Sequence, residues 1–439
     1  MVVDLGFGDA GKGTLTDHLA RTRGAHTVVR FNGGAQAAHN VVTPDGRHHT
    51  FSHVGAASFV PGVETFLSRH MVVHPLALVV EARHLAQKGL PDVLSRVSVS
   101  EHARVTTPYA QAACRLREIA RGAHRHGSCG VGVGETVRDA IALGDGAIVA
   151  RDLSDDDALR DKLRRLQAHK HHELRDEIRA LRGSPEAAGE IALLEGARTN
   201  DDFIAALAEF RARVRVVGDE HLRGLLARDG AVVFEGAQGV LLDEWRGFHP
   251  YTTWSTCTFD NALALLESSG YSGEIVRLGV LRTYATRHGA GPFPTEDVTL
   301  APAVPEAHNG LGPWQGAFRV GHPDLVLWRY ALACTRGVDA LCATHTDRLA
   351  PRWKVCTRYQ GQTDLPLGPF TDLAHQETLT QALFSAVPEY ETVALGDAPE
   401  GAFCDYLSGA LGAPVAITSH GPRADQKRER APLGVPSRG

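Results

Sequence analysis

The chain opens on an apolar run, Met1-Val2-Val3-Asp4-Leu5. It leads into Gly6-Phe7-Gly8-Asp9-Ala10-Gly11-Lys12-Gly13 and then into Thr14-Leu15-Thr16-Asp17-His18-Leu19-Ala20 at helical spacing. Strand, glycine loop and helix in that order make a narrow specification. Gly6-x4-Gly11-Lys12 has the spacing of a phosphate loop. Its glycines let backbone N–H groups close around phosphate oxygens, the helix N-terminus adds positive potential, and Lys12 supplies a point charge. Gly13 stands where such loops usually carry Ser or Thr, a common Mg²⁺ ligand. Asp9, inside the loop, is the candidate to hold the metal instead. A tight turn with incidental glycines is the plainer reading, and the strand–helix context argues against it.

A second strand is predicted at His26-Thr27-Val28-Val29-Arg30-Phe31. With the first strand and the helix between, it suggests a parallel βαβ unit. Further buried strands are predicted at residues 231–234, 273–280, 340–344 and 413–417, each ending in a polar or glycine-rich turn. Ligand loops of open α/β sheets lie at such carboxyl ends. From Asp152 to Arg213 the chain is rich in Arg, Glu, Asp, Ala and Leu at helical spacing, with pairs such as Asp161/Arg165 and Asp176/Arg179. This reads as an insertion of two or three helices with solvated charged faces. The expected fold is therefore α/β and P-loop-like: a large, mainly parallel central sheet flanked by helices, with a helical insertion over 152–213. The catalytic domain is expected over 1–428, and 429–439 is expected to be a tail.

Composition removes other classes. Apolar residues are 43% and charged residues 22%, which excludes a disordered chain. A net charge of −5 gives no basic footprint for nucleic acid. No apolar run approaches the ~18 residues of a membrane span. Seven scattered cysteines without a CxxC pair fit a reduced, cytoplasmic protein and argue against structural zinc.

Five ordered segments carry a resemblance: Gly8–Gly13, Phe31-Asn32-Gly33-Gly34-Ala35-Gln36-Ala37-Ala38-His39, Phe234-Glu235-Gly236-Ala237-Gln238-Gly239-Val240-Leu241-Leu242-Asp243, His249-Pro250-Tyr251-Thr252-Thr253 and Thr286-Arg287-His288-Gly289-Ala290-Gly291-Pro292-Phe293-Pro294-Thr295-Glu296. In order and spacing they resemble the signatures of the adenylosuccinate synthetase family. The resemblance implies a ligase that joins L-aspartate to a 6-oxopurine nucleotide, IMP, through a 6-phosphoryl intermediate, with GTP and Mg²⁺, in a homodimer. It assigns deprotonation of purine N1 to Asp9, stabilisation of the transferring phosphoryl to His39, and a contact to the 6-oxygen to Gln238, with Lys12 as the loop cation. Asp9 and the backbone carbonyl of Ala38 are the implied metal ligands. Gly8, Gly11, Gly13 and Thr14 are implied nucleotide contacts. So are Ser128 and Cys129 in Gly127-Ser128-Cys129-Gly130-Val131-Gly132, together with Thr253, Asp347, and Ser419 and Gly421 of Ser419-His420-Gly421-Pro422. Thr295 and Arg319 are implied for L-aspartate.

The sequence departs from the family in three places. The aspartate loop reads Gly312-Pro313-Trp314-Gln315-Gly316-Ala317-Phe318-Arg319, leaving only Arg319 to fork onto a carboxylate. The guanine-reading segment reads Thr344-His345-Thr346-Asp347, with His345 in place of a base-flanking lysine, so ATP stays open beside GTP. Leu143 to Ile148 lacks the arginine the family lends across its dimer interface. Such departures resemble a divergent branch that includes archaeal-like enzymes and phage enzymes acting on dGMP to make 2-aminoadenylosuccinyl deoxynucleotide; the phage enzymes commonly replace the loop aspartate. Retention of Asp9 favours IMP, whereas the altered loop at Trp314 to Arg319 points the other way. A catalytically silent purine-nucleotide sensor is the reading from another class. The presence together of Asp9, Lys12, His39 and Gln238 argues against it, because a sensor needs no base.

Overall fold

The computed structural model describes residues 1–122, 127–306, 314 and 316–433. Of the expected aspartate loop, Gly312, Pro313 and Gln315 lie outside these residues, as does 434–439 of the expected tail.

Mostly buried apolar runs form the strands β1 (Val2–Asp4), β2 (Ala25–Arg30), β3 (Glu64–Leu67), β4 (Val97–Ser100), β6 (Ala231–Glu235), β7 (Leu278–Arg282), β8 (Ala340–Thr344) and β9 (Val415–Ser419), and the more exposed β5 (Arg215–Val217) and β10 (Lys427–Glu429) close the two edges. They make one ten-stranded sheet in the order β10-β9-β8-β7-β1-β6-β2-β3-β4-β5. Neighbours run parallel except β9 and β10. The mainly parallel α/β expectation is met. Pairing within the first unit differs from the prediction. β1 and β2 are parallel but not adjacent, because β6 lies between them, with Val233 opposite Val28 and Glu235 opposite both Arg30 and Val2.

The helix α1 (Lys12–Arg23) carries the chain from β1 across one strand position to β2. Its Leu15 and Leu19 pack with Val2, Val28, Val233, Val280 and Ile417 on one face of the sheet. On the other face Val3, Val29, Phe234 and Leu281 pack against Phe248, Tyr330 and Phe403. Each fully buried side chain of this kind contributes ~1.5–3 kcal/mol.

The insertion contains five helices, not two or three: Asp156–Glu173, Arg175–Leu181, Ala188–Glu195, Thr199–Ala206 and Ala208–Arg213. Short apolar spacings broken at Leu174, Gly196 and Leu207 divide it. Leu163, Leu166, Phe203 and Phe210 bury it against Val97 and Leu116.

The chain leaves β1 towards β2, builds outward to β5, returns to β6 and then crosses to β7 on the far side of β1. The winding direction thus reverses at β1. The crevice outside the carboxyl ends of strands at such a reversal is where open α/β sheets bind ligands.

Candidate active site

Loop one follows β1. Asp4, buried at the end of that strand, accepts from Gly6 N at 2.8 Å, Ala10 N at 2.8 Å and Lys12 Nζ at 3.1 Å. One carboxylate thus ties down both ends of the loop and its cation. Gly8, Asp9 and Gly11 have φ of 98°, 61° and 91°, the left-handed region that glycine tolerates and Asp adopts more readily than most. The turn leaves the Asp9 carboxylate half-buried, its Oδ2 3.5 Å from His288 Nε2.

Gly13 has a clear structural reason. A Cβ there would lie 2.7 Å from the Cβ of His39. The Ser or Thr of an ordinary phosphate loop would therefore displace the second loop.

His39 opens the short strand His39–Val42, which pairs with His48–Phe51. Its Nδ1 lies 2.6 Å from Glu235 Oε1, and both side chains are buried. Glu235, at the end of β6, also accepts from Ala56 N at 3.1 Å and stands 3.9 Å from Arg30 Nε. Burial pushes His39 below its ordinary value; the Glu235 carboxylate opposes that, and Arg30 and Lys12 reinforce it. Glu235 stays in the carboxylate form: its burial, which favours the neutral acid, is outweighed by its interactions with His39, Arg30 and the Ala56 N–H. A carboxylate only accepts, so Nδ1 carries the proton and Nε2 is left free for a ligand.

Loop three, Gly236–Gly239, locks onto the other two. Asn32 Nδ2 donates to Ala237 O at 3.0 Å, and Ala237 N donates to Asn32 Oδ1 at 2.7 Å. A Cβ on Gly239 would lie 2.1 Å from Gly6 O. Gln238, at φ 56°, has a buried Oε1 without a hydrogen-bond partner among the described residues. Both amide atoms of Gln36 are likewise buried and unpaired. Buried amides are rarely left so.

The remaining sequence-predicted residues lie on further loops. Ser128 Oγ accepts from Gly130 N at 3.2 Å and meets Cys114 Sγ at 2.9 Å, while burial pushes the Cys129 thiol up to about 12 and keeps it neutral. Gly132 starts the helix Val133–Leu143, and Trp314 lies over Gly130, where a Cβ would sit 2.9 Å from Cδ1. Thr253 N donates to Leu242 O at 2.8 Å. Thr295 is fully buried with Oγ1 unpaired. Ala38, just before His39, is exposed.

Three residues sit otherwise than the sequence suggests. His345 does not flank an open base pocket: at φ 59° it turns inward, its Nε2 2.8 Å from Arg282 Nη2 and Nδ1 3.0 Å from Thr344 Oγ1. Asp347 pairs with Arg348 at 3.1 Å. Arg319 directs its fork at Glu296, with Nε to Oε1 at 3.0 Å, and its Nη1 donates to Gly289 O and Gly291 O, both at 3.0 Å. Arg287, buried beside it, donates to Ala290 O and Pro292 O; burial and the Arg319 charge bring it down to about 9.

The sequence reading did not assign Glu235, Gln36, Arg287 or His288 a role. All four lay inside quoted motifs. The available signal was a charged or amide side chain at the carboxyl end of a buried strand or in its loop.

A phosphate-loop turn that presents a carboxylate, an imidazole backed by a buried carboxylate and an amide from a third loop converge at the carboxyl ends of the central strands, and a family match over nearly the whole chain makes the protein a C–N-forming ligase. The adenylosuccinate synthetase family model matches residues 1–428. The chain belongs to that family. Adenylosuccinate synthetase of Vibrio vulnificus (strain YJ016) is 31% identical over 450 residues, covering 96% of each chain. That of Myxococcus xanthus (strain DK1622) is 32% identical over 400 residues, covering 87% of this chain and 86% of the other. Among solved structures, fully ligated adenylosuccinate synthetase from Plasmodium falciparum superposes with a TM-score of 0.76 at 20% identity, covering 98% of this chain and 99% of that one. The cyanophage S-2L succinoaminodeoxyadenylate synthetase bound to dGMP and dATP gives 0.59 at 17% identity, covering 98% and 95%. At these identities the two structures speak for the fold. No helix among the described residues is long and apolar enough to cross a membrane.

Proposed function

We propose that this chain joins L-aspartate to IMP, with GTP as the phosphoryl donor, as a cytoplasmic homodimer. The purine C6 oxygen is a poor leaving group. Asp9 takes the N1 proton, which makes O6 nucleophilic. O6 attacks the γ-phosphorus and the P–O bond to the diphosphate breaks. The aspartate amine then adds to C6 and gives up a proton as O6 departs as phosphate, leaving N1 unprotonated in the 6-aminopurine product. Gln238 donates to O6 as charge builds there. His39, charged by the approach of the triphosphate and backed by Glu235, donates from Nε2 to the transferring phosphoryl. Lys12 answers the phosphate charge.

The Asp9 carboxylate and the Ala38 carbonyl are hard oxygen donors and fit Mg²⁺, which supplies neutralisation of phosphate charge when bound. Thr14, Gly8, Gly11, Gly13, Ser419, Gly421 and Asp347 serve the triphosphate nucleotide. Ser128, Cys129 and Thr253 serve the purine nucleotide, and Thr295 and Arg319 serve L-aspartate.

The observation that carries this reading is the buried pair of His39 and Glu235 at 2.6 Å packed against Gly13 of the phosphate loop. A nucleotide sensor has no use for it. One observation favours a second reading, dGMP with ATP: His345 is withdrawn onto Arg282, so the base-reading turn lacks a flanking cation. Phosphate release from IMP, GMP and dGMP, each crossed with GTP and ATP and run with and without L-aspartate, separates the readings. Aspartate-dependent release with IMP and GTP is expected. Preference for dGMP by tenfold in kcat/KM overturns the acceptor, and release independent of aspartate overturns the ligase.

A further inference from the structure

Lys427 stands outside every role described so far. It opens β10, the antiparallel edge strand, yet its side chain runs inward and the residue is 7% exposed. Its Nζ donates to Thr14 Oγ1 at 2.6 Å, Gly421 O at 2.9 Å and Arg423 O at 2.7 Å. These are neutral oxygens. Asp17 and Asp425 act on the ammonium only from a distance, and burial pushes it down to about 8.

The bonds do not require a cation. Gly421 O also accepts from Ser419 Oγ at 3.1 Å, Arg423 O also accepts from Gln426 N at 3.0 Å, and Thr14 Oγ1 itself donates to Pro422 O. With Lys427 gone, neither carbonyl loses its last donor. What the side chain adds is a positive charge held out of water without an adjacent carboxylate, an arrangement that costs free energy until an anion arrives. Its place is equally specific. One partner is in the first turn of α1, directly behind the phosphate loop. The other two lie in and beside the turn Ser419–Pro422, which follows β9 at the same edge of the sheet.

We propose that Lys427 serves nucleotide binding through its charge: the buried ammonium is completed by the polyphosphate of the nucleoside triphosphate. This deepens the function proposed above and rests on its placing the triphosphate at residues 6–13.

The test is calorimetric titration of the full chain with non-hydrolysable GTP and ATP analogues, with IMP, and with guanosine, which lacks the phosphates. Wild type, Lys427→Met and Lys427→Gln are compared, alongside thermal unfolding without ligand. The expected result is at least tenfold weaker binding of the triphosphate in both variants, about 1.4 kcal/mol. IMP and guanosine affinities should stay within twofold, and the ligand-free unfolding midpoint should be equal or higher. A purely structural clamp gives the reverse: a lower midpoint with unchanged triphosphate affinity in the folded variant, and that result overturns the inference. Should Lys427→Met fail to fold, Lys427→Gln, which can still donate to the carbonyls, decides by the same criteria. Absence of triphosphate binding in the wild type sinks the proposed function itself.

Discussion

Glu235→Gln separates the electrostatic role of the pair from its geometry. The amide keeps the shape and can still accept from His39 Nδ1, but it removes a full charge 2.6 Å from that nitrogen and 3.9 Å from Arg30 Nε. At an effective dielectric of about 20, two unit charges roughly 4 Å apart interact by ~4 kcal/mol. If the imidazolium forms only as the phosphoryl transfers, that energy is lost from the transition state, and each ~1.4 kcal/mol is tenfold in rate. The expected fall in kcat is therefore about 10³, with KM for IMP and L-aspartate little changed. Losing one partner of a buried ion pair also costs ~3–5 kcal/mol of stability, so activity must be referred to folded protein measured by circular dichroism. A double-mutant cycle with His39→Ala isolates the catalytic part. In the His39→Ala background Glu235→Gln should change kcat by less than threefold. A kcat within tenfold of wild type in the single variant, or full additivity in the cycle, would refute the reasoning.

Asp9→Asn should lower kcat by ~10²–10⁴, the usual worth of a general base, with an unchanged circular dichroism spectrum; near-wild-type turnover removes Asp9 as the base. Gly13→Ala should push His39 aside, because the new Cβ would fall 2.7 Å from His39 Cβ. A loss of ~1–3 kcal/mol in urea unfolding together with reduced kcat is expected, and an unchanged kcat contradicts the contact. If L-aspartate displaces Glu296 from the Arg319 fork, Arg319→Lys should raise KM for L-aspartate more than for either nucleotide, since Lys cannot fork; a change within about twofold counts against the assignment. Burial pushes His74 down to about 4, and its Nδ1 accepts from Ala77 N to cap the helix Pro75–Gln87. Below pH 6.5 the unfolded chain protonates this histidine and the folded chain does not, so its stabilising contribution is complete above 6.5 and declines as pH falls towards 4. Relative to His74→Asn, which can still cap, the wild type should lose ~1.4 kcal/mol per pH unit across that window in chemical denaturation; a pH-independent difference refutes the buried neutral form.

The phosphate loop was legible because strand, glycines, lysine and helix are contiguous in sequence. The strands at 231–235 and 340–344 were legible as apolar runs that end in turns. Partnership was not. Glu235 meets His39 across 196 positions, and Lys427 meets Thr14 across 413. No local pattern encodes such pairings. The strands of one flank, β3, β4 and the edge strand β5, were missed for a related reason. Glu64–Leu67 and Val97–Ser100 are four residues each, too short for alternation to register, and Arg215–Val217 is largely exposed. The inward turn of His345 depends on Arg282, whose proximity comes from the pairing of β7 with β8.

The placing of β6 between β1 and β2 bears on how the chain can be made. During synthesis β1 emerges first, but its two sheet neighbours, residues 231–235 and 278–282, leave the ribosome only after more than half of the chain has been translated. Until then both edges of β1 lack their partners, and a strand held open in that way invites pairing with other chains. The first segment to acquire its neighbours is instead β2 with β3 and β4, all within the first 100 residues. The nascent protein therefore assembles from one flank of the sheet, keeps a vacant slot beside β2, and completes its centre late. The three interlocked loops form only when that slot is filled, so the ability to handle nucleotide arrives with the closing of the sheet and not with the phosphate loop itself.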